Sequence, residues 1–303
     1  MISRNYMFDE KNQYVQFLIS RRNKIFHVKP YVGNSGDCLI RMGTMMLLAD
    51  LGIETTVNPR KADVILWPGG NPTMWRANIE GWKEVWSMFP EKEFVVGPAT
   101  FQFGIYDWPK LVTQSDACIT GLFARDPVSL TNLQQAKLPG NIETGLSHDP
   151  ALYLRGSAWL KEHHEASTEE YILAAFRNDH ETDVMLNPFV EFFKPLIPAR
   201  IKRRLNQKVK RSYKKTKIDI VRDRTTEEMP LKAYDVSAYD FESFVETVRR
   251  SYEVHTDRLH CLILAVLLGK RAFAYPTSYG KLETIYEYSI KPWAKVSFVS
   301  VKK

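Results

Sequence analysis

The chain has 303 residues, 44% hydrophobic and 25% charged, with 42 Lys and Arg against 35 Asp and Glu. That composition supports a packed core, excludes a disordered or collagen-like chain, and at roughly 150 residues per domain predicts two domains. The net charge of +7 is local: residues 200–217 hold ten basic side chains and no acid, leaving 32 basic against 35 acidic residues elsewhere.

A membrane-spanning helix needs about 20 apolar residues, whereas the longest apolar run here is Cys261–Leu268. Met1–Phe17 is polar with both signs of charge, so no secretory leader is expected. Cys38, Cys118 and Cys261 are scattered and form no Cys-x-x-Cys pair. They read as reduced thiols of a cytoplasmic protein rather than a disulfide frame or zinc site. His163 and His164 are adjacent in a Glu-rich segment without partners at ligand spacing, and no metal site is expected.

Short β-branched or aromatic runs alternate with longer amphipathic stretches, the pattern of an α/β protein with parallel sheets. In the first half, strands are expected near Ile25–Lys29, Ile53–Val57, Asp63–Trp67, Glu93–Gly97 and Ala117–Phe123, with helices at Cys38–Leu51, Ile79–Met88 and Pro127–Gln135. The polar stretch Ser157–Glu170 reads as a linker. A buried strand follows at Tyr171–Phe176, then a strand at Ile218–Val221, helices at Phe241–Arg250 and Asp257–Leu268, and a strand at Arg271–Tyr275. These elements divide into domains 1–155 and 156–303, with a basic insert at 198–217.

Ligands of open α/β sheets bind beyond the carboxyl ends of the strands. The first such loop is Gly33-Asn34-Ser35-Gly36-Asp37, where Asp37 can cap the next helix and freed amides suit an anion or a sugar hydroxyl. By itself an ordinary capped turn explains it as well. Pro68-Gly69-Gly70-Asn71-Pro72 and Gly97-Pro98-Ala99-Thr100 end the next strands, so successive breaker-rich loops imply an open crevice. Arg125-Asp126-Pro127 ends another strand, where a surface ion pair is the plain alternative, and His148-Asp149-Pro150-Ala151 is either a capped turn or part of a site. In the second half, Phe176-Arg177-Asn178-Asp179 closes an apolar strand. Arg258 and His260 open a helix whose apolar body must be buried, a costly place for charge unless it meets a ligand or a partner. Lys281 follows a nearby loop.

Taken in order over residues 31–290, these motifs resemble the polysaccharide pyruvyltransferase family. The residues carrying the resemblance are Gly33-Asn34-Ser35-Gly36-Asp37, Pro68-Gly69-Gly70, Gly97-Pro98, Ala124 to Ser129, Asp149-Pro150-Ala151, Phe176 to Asp179, Arg258-Leu259-His260 and Lys281. The resemblance implies two Rossmann-like domains in a GT-B-like arrangement with an interdomain cleft, the N-terminal domain on the acceptor side. It implies transfer of pyruvate from phosphoenolpyruvate to the hydroxyls of a cell-surface sugar or its lipid-linked precursor as a cyclic ketal, with no cofactor. Arg258 and His260 carry over as catalytic residues; Arg125, Arg177, Lys281, Asn34, Asp37 and Asp149 carry over as substrate ligands. Several cations suit so negative a donor, and a His with a reference pKa of about 6.5 can serve as general acid or assist phosphate departure. Asp37 or Asp149 would be the base. The chain departs from the family at Pro68, where Gly is frequent, and at Ala99-Thr100, where Gln-Ser is usual.

Two other functions fit the same pattern: a sugar-nucleotide glycosyltransferase, or a non-catalytic lipid- or nucleic-acid-binding protein using the insert. The insert lacks interleaved aromatics apart from Tyr213, so no nucleic acid is expected. Ile201, Leu205, Val209 and Tyr213 recur every four residues between basic faces, behind an apolar lead-in at Phe189, Phe192, Phe193, Leu196 and Ile197. An amphipathic helix docking the enzyme on the inner face of an anionic membrane has this pattern, and so does a helix packed on its own domain.

Overall fold

A computed structural model describes residues 11–30, 35–104, 106–177, 215–225, 229–235, 240–277 and 280–300. The chain divides into one unit of Met1–Glu162 with Thr284–Pro292 and another of His163–Glu283 with Trp293–Lys303. The division thus falls later than the expected 155/156, and the C-terminal part returns to the first unit over Thr284–Pro292. There His148 stacks on Tyr288 with ring centres 5.1 Å apart, and its Nδ1 lies 3.0 Å from Ser289 Oγ.

The first unit runs α1 (Gln13–Ile19), β1 (Phe26–Val28), α2 (Ser35–Asp50), β2 (Val64–Trp67), α3 (Arg76–Met88), β3 (Glu93–Ala99), α4 (Trp108–Thr113), β4 (Ile119–Ala124), α5 (Pro127–Gln135) and β5 (Glu143–Leu146), followed by a short 3-10 turn, Pro150–Leu154, and helix α6 (Ala158–Glu165). The sheet is parallel in the order β1-β2-β3-β4-β5. The expected strand Ile53–Val57 shrinks to one bridge, Thr55 beside Phe26, on the edge of β1 away from β2. The chain therefore leaves β1 in one direction through α2, then doubles back to build β2 on the other side. That reversal is the switch point at which open α/β sheets bind ligands.

Each face of this sheet has its own cover. Ile65, Trp67, Phe94, Val96 and Leu122 meet α3, α4 and α5 in one apolar cluster, with Trp67 against Trp82 and Trp86 against Phe94 edge-to-face. Such tilted pairs add to what burying the rings already contributes. On the other face Tyr14 and Phe17 of α1 each lie 4.9 Å from Phe123. Helix α1 overlaps the end of the segment read as merely polar; Asn12 caps it by accepting the amides of Tyr14 and Val15. The supposed linker also contains a helix, α6, because Ser157 Oγ accepts the Leu160 amide and Leu160 is buried.

The second unit holds β6 (Tyr171–Ala175), a helix over 215–224 (α7), β7 (Leu231–Ala233), α8 (Phe241–Arg249), β8 (Ser251–Thr256), α9 (Leu259–Leu267), β9 (Arg271–Ala274), α10 (Lys281–Ile285) and β10 (Ser297–Phe298). Its parallel order is β10-β9-β8-β6-β7, so this chain also reverses direction, between β6 and β8. Residues 218–221, expected as a strand, are helical and pack Ile218 and Val221 against Ile172, Ala174, Phe176 and Tyr275. Helix α9 is buried along almost its whole length, as its composition required. The cysteines Cys38, Cys118 and Cys261 are all free thiols. No helix among the described residues is long and apolar enough to cross a membrane. The Ile201–Tyr213 stripe lies outside the described residues.

Helix α2 depends on one close approach. A Cβ on Gly43 would stand 1.8 Å from the Pro150 carbonyl oxygen, so no side chain fits between this helix and the 3-10 turn. Gly43→Ala should lower stability by about 2–3 kcal/mol, measured as a drop in the thermal midpoint. Gly140→Ala, where a Cβ meets nothing within 4 Å, should stay within about 0.5 kcal/mol of the parent.

Candidate functional site

In the first unit the strand ends are tied together by one buried cation. Arg125, at the end of β4 and 1% exposed, donates from Nε to Thr100 Oγ1 at 2.9 Å and from NH1 to Asp149 Oδ2 at 2.7 Å. Asp149 is wholly buried and accepts the Ala151 amide on its other oxygen. The Thr100 amide donates to Gly70 O, which joins the β2 and β3 loops. Gly69 sits at φ +136, and a Cβ there would stand 2.5 Å from Pro98 O, so the loop has room only for glycine. Asp126 turns away from Arg125 to cap α5, accepting both the amide and the hydroxyl of Ser129. The surface ion pair weighed as the plain alternative is therefore a buried pair with a different acid.

In the second unit the cations gather on either side of the switch point. Ala175 pairs with Thr256 across β6 and β8, so Arg177 and Arg258 each stand two residues beyond the last paired position of adjacent parallel strands. Arg258 is largely buried, and its NH2 donates to Asp235 Oδ1 at 3.0 Å. Thr256 Oγ1 accepts the Arg258 amide and donates to Ala175 O, which fixes the two strand ends to each other. Asp257 accepts the Arg177 amide on Oδ1 at 2.8 Å and the Lys217 ammonium on Oδ2 at 2.7 Å. Lys217 is only 1% exposed. His260 is half-buried in the first turn of α9, and Lys281 is buried as the first residue of α10.

Among the anticipated residues, Arg125 and Asp149 meet each other, while Arg177, Arg258 and His260 share the β6/β8 edge. Asp37 is half-buried in the first turn of α2, which begins at Ser35 rather than Cys38. Asn34 lies outside the described residues. Thr100, Lys217, Asp235 and Asp257 were not anticipated as site residues. Lys217 was hidden in the basic run and Asp257 was the first residue of an expected helix, so the signals existed but their pairing is non-local. Among the described residues no group of three His, Cys, Asp or Glu side chains could hold a metal.

The family model for polysaccharide pyruvyl transferases matches residues 2–279. The chain belongs to that family. A search of curated proteins finds no match. Among solved structures, a functionally uncharacterised protein of Klebsiella pneumoniae aligns over 97% of this chain and 100% of its own, at 20% identity and TM-score 0.61, a likeness of fold. UDP-GlcNAc 2-epimerase of Methanocaldococcus jannaschii aligns over 88% of this chain and 70% of its own, at 14% identity and TM-score 0.34. Family membership makes the chain a transferase. Where Gln-Ser is usual in the family, the hydroxyl of Thr100 serves as the hydrogen-bond acceptor for Arg125.

Cys261 follows His260 directly and invites a nucleophile role. Burial pushes its thiol up to about 12, outweighing the opposing influence of Thr256 and Arg258, so it is no thiolate near neutral pH. At pH 8 a thiol-specific disulfide reagent should titrate the exposed Cys38 and Cys118 in the native protein, and Cys261 only after denaturation. Asp149→Asn should cost about 3–5 kcal/mol in unfolding measurements, because it leaves the Arg125 charge buried without its counter-ion.

Proposed function

We propose that this transferase moves the pyruvate moiety of phosphoenolpyruvate onto two hydroxyls of one sugar, forming a cyclic ketal. The observation that carries the reading is the placement of Arg177 and Arg258 at neighbouring strand ends, flanking the switch point of the second sheet. A ligand with a carboxylate and a phosphate needs several cations, and guanidinium groups meet both anions in bidentate fashion. Lys281 adds a further positive charge near the end of β9.

His260, half-exposed beside Arg258, is the general acid. It protonates the methylene carbon of the enol, and positive charge develops at C2. One sugar hydroxyl adds there and gives its proton to a base. The C2–O bond to phosphate then breaks, and the second hydroxyl closes the ketal ring with loss of its own proton. Inorganic phosphate is the other product. Arg125 and Asp149 keep the acceptor-side loops of the first unit in shape.

Phosphate release from phosphoenolpyruvate, measured against a panel of sugar acceptors with nucleotide sugars as controls, tests the reading. Acceptor-dependent release is expected, with no turnover of nucleotide sugars. His260→Gln should lower kcat by about 10²–10⁴-fold, the usual worth of a positioned acid. Arg258→Lys should lower kcat/KM by about 10- to 100-fold through loss of charge-assisted hydrogen bonds. Turnover of a nucleotide sugar without release from phosphoenolpyruvate would make the chain a glycosyltransferase instead.

A further inference from the structure

An acid directly before Arg258 is a physical problem at a site meant for an anion. Asp257 is 1% exposed, sits at the carboxyl end of β8, and carries a charge of the same sign as the ligand. Both of its oxygens are nevertheless occupied: Oδ1 by the Arg177 amide and Oδ2 by Lys217, at 2.8 and 2.7 Å. Neither side chain of the ion pair is more than 1% exposed, and the Lys217 ammonium also lies 5.5 Å from the centre of the Phe176 ring. Lys217 thus differs from Lys215, two residues earlier in the run, which is exposed. The fold brings this last cation of the run inside to meet the acid at the end of β8.

We infer that Lys217 is the counter-ion that lets Asp257 stand beside the donor anion, and that both are positioning residues for phosphoenolpyruvate binding. The inference rests on the donor reading above. Asp257 is needed because its carboxylate orients the Arg177 amide and so ties the β6 exit to the β8 exit. Lys217 is needed because an uncompensated carboxylate there would repel the ligand's carboxylate and phosphate through a medium of low effective dielectric. The ammonium acts through Asp257 and does not touch the donor. Charge cancellation and hydrogen-bond geometry are separable, since an Asn at 257 still offers an oxygen to the Arg177 amide.

The test is the dissociation constant of phosphoenolpyruvate by titration calorimetry on folded protein, for the wild type and three variants, with thermal melts alongside. Lys217→Met should weaken binding by at least 10-fold, and Lys217→Arg should stay within about 3-fold of the wild type. The double variant Lys217→Met/Asp257→Asn removes both charges, leaves none buried alone, and should recover to within about 3-fold. If Lys217→Met does not fold, the double variant carries the test by itself. Wild-type affinity in folded Lys217→Met would overturn the inference and make the pair a fold tie only. A double variant at least 10-fold weaker than the wild type would overturn it too, since charge cancellation would then not be what Lys217 supplies. Failure of the wild type to bind phosphoenolpyruvate would instead remove the donor reading on which the inference stands.

Discussion

A charge can be buried in a protein only beside its opposite, and in both units an ion pair of that kind closes the carboxyl edge of the sheet. Arg125 with Asp149 joins the ends of β4 and β5, and Lys217 with Asp257 joins α7 to the end of β8. Each acid also accepts a backbone amide, from Ala151 in one case and Arg177 in the other. Parallel sheets make such ties necessary. All strands end on the same edge, where loops crowd together with few ladder hydrogen bonds to define them. A salt-bridged carboxylate that also holds an amide fixes both a side chain and a stretch of loop. Such pairs add little net stability over an apolar core, yet breaking one is costly, which makes them good at specifying one loop geometry.

The two edges differ in how their cations are arranged. In the first unit Arg125 is spent on Thr100 and Asp149. In the second, Lys217 takes the acid, while Arg177 and Arg258 leave adjacent strands at the switch point, with His260 one turn into the following helix. For this reason the proposed donor site is in the second unit. The basic run is an island on a near-neutral body, but its last member, Lys217, belongs to the interior.

Most strands and the long helices were legible because burial imposes its period directly on the sequence. Pro127–Gln135 begins and ends where its proline, its Asp126 cap and its apolar spacing place it. Tyr171–Ala175 is buried along its length, as its unbroken apolar run requires. Helix α1 was missed because its apolar residues Tyr14, Val15, Phe17 and Leu18 sit behind a polar lead and were judged as one segment. Residues 218–221 looked like a strand because β-branched residues are also tolerated on a buried helix face. The site was legible as motifs but not as contacts. Arg125 was visible at a strand end, yet its partner Asp149 lies 24 residues on, and Lys217 lies 40 residues before Asp257. Nothing local distinguishes a cation that will be buried from its solvated neighbours in a basic run.

In the proposed reaction the β6/β8 edge of the second unit receives phosphoenolpyruvate. A crystal structure of the protein soaked with phosphoenolpyruvate tests it most directly. Density is expected beyond the ends of these strands, with the carboxylate and phosphate within hydrogen-bond distance of Arg177 and Arg258, and His260 facing the methylene carbon. Ordered donor bound at the first unit instead, away from both arginines, would contradict it.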